Sequence, residues 1–157
     1  MIIILSYLND NESQMIINHG VRGSLPTSSH NTLSYGGNTP CVEIKTLKYQ
    51  LIFDCGSGFS KVDFSNNLQT ILFISHFHHD HIQGLAFNNF KSDWNKKIIV
   101  TSAHSNTKET YKNLNDYYRD PYFPVDFIHI MDKFLFMEFD RVVSDFQDLK
   151  INSIDLN

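Results

Sequence analysis

Four of the eight histidines and one aspartate fall within six residues, His76-Phe77-His78-His79-Asp80-His81. Imidazole nitrogen and carboxylate oxygen at this density, with no thiolate among them, are the donors of a hydrolytic Zn²⁺ site, and Mn²⁺ or Fe²⁺ suits the same set. The spacing sorts the donors. His76 and His78 are two apart, so in extended chain they share a side and grip one ion, whereas Asp80 and His81, at the turn into a helix, face a second. A carboxylate at a helix start also suits the dipole there. His79 lies between the two pairs and points away from both, as a residue that lines the site or faces solvent. Asp54 ends an apolar strand and precedes Cys55-Gly56-Ser57-Gly58. It reads either as a plain turn residue or as a carboxylate that supports nearby imidazoles from behind. The alternative for the whole cluster, a solvated histidine-rich loop, fits poorly with an apolar run before it and an apolar helix after it.

Donors of this kind need rigid elements to hold them. Short β-like runs at residues 15–18, 41–46, 50–54 and 70–75 alternate with Gly- and Asn-rich turns, and the last of them delivers the histidines. Residues 20–39, rich in Gly, Ser, Thr and Asn, form a loop long enough to be a wall of the site. Beyond His81 the apolar pattern predicts a short helix over 82–90, a strand at 97–101 and a polar helix at 105–118 that ends before Pro121 and Pro124. Three further β-like stretches are expected at 127–130, 134–139 and 149–154. No repeat or linker divides the chain, so the reading is a single α/β domain.

Composition narrows the class. The chain has 157 residues, 41% hydrophobic, with thirteen Phe and seven Tyr, which excludes disorder and low-complexity architectures. A formal charge of -4 offers no broad cationic face for sequence-independent nucleic-acid binding. Two cysteines, Cys41 and Cys55, sit beside strand residues and read as free buried thiols in a reducing compartment, and the expected location is cytoplasmic. The apolar run at 1–8 is too short for a membrane span and lacks a basic flank. Residues 1–14 are read as an N-terminal extension or an added strand, because Met15 opens a second apolar run.

The order H-x-H-x-D-H after an apolar strand resembles the second motif of the metallo-β-lactamase-fold hydrolases. The likeness extends to GVRGSLPTSSHNTLSYGGNTPCVEI at 20–44, LIFDCGSGF at 51–59, ISHFHHDHIQGLAF at 74–87 and DPYFPV at 120–125, which together resemble the phosphodiesterase-like branch related to ribonuclease Z. The resemblance implies an αβ/βα sandwich, two sheets face to face with helices outside, and a site on loops at one edge. It implies two divalent ions, the first held by His76 and His78, the second by Asp80 and His81. Asp80 would further orient the attacking water and take its proton. Asp54 matches the aspartate of the first motif, and residues 36–39 resemble a site-edge loop in which Asn38 and Thr39 face the substrate. A small-molecule or nucleotide phosphodiester, such as a cyclic nucleotide or an RNA 3′ region, fits this branch better than a β-lactam.

A catalytic zinc takes three protein ligands and a water, and this cluster supplies two donors per ion. The family places its third-motif histidine, a bridging aspartate and a final histidine after the segment that corresponds to residue 157. His104 and His129 align with none of them. The expectation is therefore the N-terminal half of such a domain, residues 15–157, with one sheet face bare and metal held weakly. It would be catalytically silent by itself or completed by another chain or a second copy.

Overall fold

In the computed structural model, which describes residues 2–7, 14–65, 67–88, 95–124 and 126–154, six strands form one sheet in the order β2-β3-β4-β5-β6-β7. They are β2 (Met15–Gly20), β3 (Cys41–Lys45), β4 (Tyr49–Phe53), β5 (Gln69–Phe73), β6 (Ile98–Thr101) and β7 (Phe134–Phe136). β2, β3 and β4 are antiparallel, whereas β4 through β7 are parallel. Parallel strands are covered on both faces, which is why Leu51-Ile52-Phe53, Ile71-Leu72-Phe73-Ile74 and Ile98-Ile99-Val100 are continuous apolar runs. Their carboxyl ends share one edge, and there Asp54 and the 76–81 cluster emerge together.

One face of the sheet, with Ile52, Leu72, Ile98 and Val100, lies under Phe59, Ile82, Leu85, Leu114, Tyr118 and Phe127. Ile82 belongs to α1 (His79–Ile82) and Leu114 to α2 (Thr107–Tyr117). α2 opens on a reciprocal cap: Glu109 N–H donates to Asn106 Oδ1 at 2.9 Å while the Glu109 carboxylate accepts from Asn106 N–H. The opposite face, with Leu51, Ile71, Phe73 and Ile99, lies under Val142, Leu149 and Ile151. These come from α3 (Phe139–Asp145) and β8 (Leu149–Ile154). β8 pairs antiparallel with β1 (Ile2–Tyr7) as a separate two-stranded sheet, so residues 2–7 are an added strand.

Several expectations need correction. Residues 127–130 are not a strand: Phe127–His129 is a 3₁₀ turn, fixed by the Phe127 N–H donating to Tyr118 C=O at 2.9 Å and by burial of the Phe127 ring. The strand expected over 134–139 stops at Phe136 because the chain turns into α3. The helix after the cluster begins at His79, three residues earlier than expected, and gives way to a 3₁₀ turn at Leu85–Phe87. The second sheet face is not bare, since Ile71 and Phe73 are fully buried. Among the described residues it opens at its margins, at Ile16 on β2 and Leu135 on β7. The polar residues expected at 9–13, residues 89–90, Val125 and the last three residues lie outside the described residues.

The turn after β4 and helix α1 interlock through backbone. Cys55 N–H donates to His81 C=O, and Gly84 N–H donates to Cys55 C=O, both at 2.8 Å. A Cβ on Gly84 would sit 2.0 Å from Gly56 C=O. No side chain can yield there. Gly84→Ala should therefore cost about 2 kcal/mol in urea unfolding, as overfilled sites do. An unchanged midpoint would show that the two segments part freely.

Candidate metal centre

Asp54 holds the centre of the site. It follows β4 directly with φ of 60°, a left-handed conformation that Asp tolerates better than most residues. That twist turns its carboxylate toward the end of β5. Oδ1 accepts from Ser75 N–H at 2.8 Å, while Oδ2 accepts from Ser75 Oγ at 2.8 Å and meets His81 Nδ1 at 2.7 Å. The turn reading and the supporting reading thus describe one residue. Ser75, which sequence reasoning passed over, also meets His76 Nδ1 at 3.0 Å. Its only signal was its place between the strand and the first histidine.

These contacts aim the other ring nitrogens outward. His76 Nε2 stands 3.0 Å from His78 Nδ1, and His81 Nε2 stands 3.7 Å from Asp80 Oδ2. The rings of His76 and His81 lie 4.0 Å apart, so the two pairs share one site. Burial holds His76 below the usual histidine value, and the nearby imidazoles of His81 and His78 push it the same way, which favours the neutral form that ligates. Burial alone would lower His81, but the hydrogen bond to Asp54 outweighs it and raises the value. For Asp80, burial is outweighed by the Ser24 N–H, which donates to Oδ2 at 2.8 Å, and by His81, so the carboxyl lies below its ordinary range.

Ser24 was invisible to sequence reasoning. It reaches the cluster from the 20–39 loop with φ of 68°, and nothing local marks a contact that spans 56 residues. Asn38 and Thr39, expected to face substrate, lie instead at the root of that loop. Thr39 is fully buried; its Oγ1 accepts from Ser57 N–H at 2.7 Å and from Gln83 Nε2 at 3.0 Å. Asn38 Oδ1 accepts from Ser57 Oγ at 3.2 Å, and its amide donates to His19 C=O. Their polar atoms anchor the loop and leave little to offer a substrate.

His79 turns away, its Nδ1 2.6 Å from the Tyr117 hydroxyl. His104 lines a cleft of about 420 Å³ that His76 also lines, while His129 sits exposed on the 3₁₀ turn. Among the described residues no three His, Cys, Asp or Glu side chains converge as a metal group. The donors stand instead as two pairs. A tetrahedral zinc with ligands near 2 Å separates its donors by roughly 3.3 Å, and the 3.0 and 3.7 Å pairs bracket that spacing.

The described chain superposes on the metallo-beta-lactamase fold protein YhfI from Bacillus subtilis with a TM-score of 0.52 at 16% sequence identity. The fold is that of the metallo-β-lactamases. The match covers 81% of this chain and 46% of that one, so the chain spans about half the length of its metallo-β-lactamase-fold neighbour. No protein-family model and no curated protein matches the sequence. Among the described residues no helix is long and apolar enough to cross a membrane.

Proposed function

We propose that the chain contributes the metal-gripping edge of a two-metal phosphodiesterase site on the metallo-β-lactamase fold. The observation that carries this reading is the pairing of His76 with His78 and of Asp80 with His81, both braced on Asp54 and Ser75. His76 and His78 would hold one divalent ion, Zn²⁺ first among the candidates, and Asp80 and His81 the other. When bound, the ions supply Lewis acidity at the phosphoryl oxygens and a lowered pKa for the attacking water. Asp80, whose carboxyl lies below its ordinary range, would accept a hydrogen bond from that water. A carboxylate below its ordinary range is a weaker base, so its contribution would be to orient the water more than to store its proton. The protein, alone or with a complementing chain, should hydrolyse bis(p-nitrophenyl) phosphate with added Zn²⁺ or Mn²⁺ and stop in EDTA. Opening of β-lactams or thioesters with phosphodiesters left intact would overturn the substrate class.

Two donors per ion favour a second reading, a half-site completed by a further segment, a second copy or a partner chain. After Zn²⁺ loading and dialysis, residues 1–157 should keep well below two ions per chain. Two tightly retained ions would mean that this chain closes the site unaided.

Asp54→Asn separates support from ligation. Asn tolerates the left-handed backbone, yet lacks the charge that orients His81. Zinc affinity, read by competition with a chromogenic chelator, should fall about 10- to 100-fold while the fold persists. Unchanged affinity would reduce Asp54 to a turn residue.

A further inference from the structure

On the far side of the cluster from the ligand pairs, His79, Asp116, Tyr117, Tyr122 and Phe123 line a cleft of about 400 Å³, within the range of small-molecule sites. Its walls are fixed from behind. Tyr118 is fully buried, its hydroxyl donating to Ile82 C=O and accepting from Leu85 N–H at 3.1 Å. Against that ring stand Tyr117 and Phe123, with centroids 4.7 and 4.8 Å away and edge-on geometry. The Tyr117 hydroxyl is tied in turn to His79. Tyr122 is 82% exposed, a large aromatic side chain standing free beside this wall. Among the described residues the cleft's one carboxylate is Asp116, held by Lys112 at 2.6 Å and Arg119 at 3.3 Å, with acceptor positions to spare.

We infer that this cleft binds a nucleobase, and that guanine is the base it fits. Rigid aromatic walls with one free ring offer stacking faces to any planar base. The carboxylate adds a choice, because guanine presents two adjacent N–H donors on its pairing edge, which a carboxylate accepts side by side, whereas adenine presents one. His79 joins the cleft to the cluster, being the residue next to His78 in the chain while its ring turns to Tyr117. The inference rests on the phosphodiester reading for its biological sense, a guanine nucleotide diester as substrate, but the cleft itself needs no metal.

The test is titration of guanosine, adenosine and ribose into residues 1–157 in EDTA, followed by ligand-observed NMR. Guanosine should bind about tenfold more tightly than adenosine, and ribose not measurably. Tyr122→Ala should weaken guanosine about tenfold, and Asp116→Asn should erase the preference over adenosine. Equal binding of the two nucleosides, no binding, or guanosine binding indifferent to both substitutions overturns the inference. Bis(p-nitrophenyl) phosphate carries no base and guanosine no phosphate. The hydrolysis assay can therefore fail while the cleft binds, and the reverse.

Discussion

In a form of the protein that turns over a phosphodiester, Asp80→Ala should lower the rate at least ~10²-fold, and Asp80→Asn should do nearly the same. Asp80 joins two tasks on one carboxylate. Its Oδ2 anchors the long loop through Ser24 N–H, and the same group completes the pair with His81. The Asn variant separates them, since its amide oxygen still accepts from Ser24 but brings no charge to an ion or to the water. His129→Ala, on the exposed 3₁₀ turn, should leave the rate within ~2-fold and serves as the control for loss of an arbitrary imidazole. Rescue by Asn would make Asp80 a loop anchor. A loss at His129 matching that at Asp80 would mean the ligand set has been misassigned.

Much of the site was legible because it is local. An apolar strand that ends in H-x-H-x-D-H fixes the element and gathers the histidines with the aspartate, and β5 with α1 realises that pattern within a few residues. Asp54 was legible for the same reason, as the end of the preceding apolar strand. The residues that were missed act across the chain. Ser24 is no different from any loop serine until the fold lays it on Asp80, and Thr39 looks like a rim residue until Ser57 and Gln83 bury it. α3 did carry a signal, Phe139, Val142, Val143 and Phe146 at helical spacing. It was hidden by the aromatic run before it, since Phe134 and Phe136 alternate as in a strand and short apolar runs fit both periods. Phe127 was decided by tertiary contact: Tyr118 C=O takes its N–H, and a buried ring does not distinguish strand from turn. The second sheet depends on β1 meeting β8 across most of the chain, a pairing no local pattern encodes.

The sequence also left unannounced a buried charge whose loss should cost the fold several kcal/mol, about as much as emptying a core site. Glu43 on β3 is fully buried among strands. Its Oε2 meets His19 Nε2 at 2.7 Å, while Oε1 accepts from Gln50 Nε2 and from Lys45 Nζ at 3.1 Å. Gln50 Oε1 in turn accepts from Thr70 Oγ1 at 3.1 Å, so the network crosses β3, β4 and β5. Glu43→Ala should cost about 3 kcal/mol in urea unfolding, at the lower end for a broken buried pair because Lys45 keeps some access to water. The effect carries its own pH signature. Burial alone would raise the Glu43 carboxyl, but the hydrogen bonds from His19, Gln50 and Lys45 outweigh it and hold the folded value below the ordinary 4.5. A carboxyl depressed by folding adds stability that is fully present above its unfolded value and drains away as pH falls through the folded one. The gap between wild type and Glu43→Gln, which keeps the shape without the charge, should therefore narrow steadily as the pH falls below 4.5. Carboxyls that do not touch Glu43 lose stability in acid equally in both proteins, so the narrowing belongs to Glu43 and the groups paired with it. A gap that stays constant down to pH 3 would mean that the network holds the neutral acid as well as the carboxylate, and the charge would have no part in fixing β3 against β4.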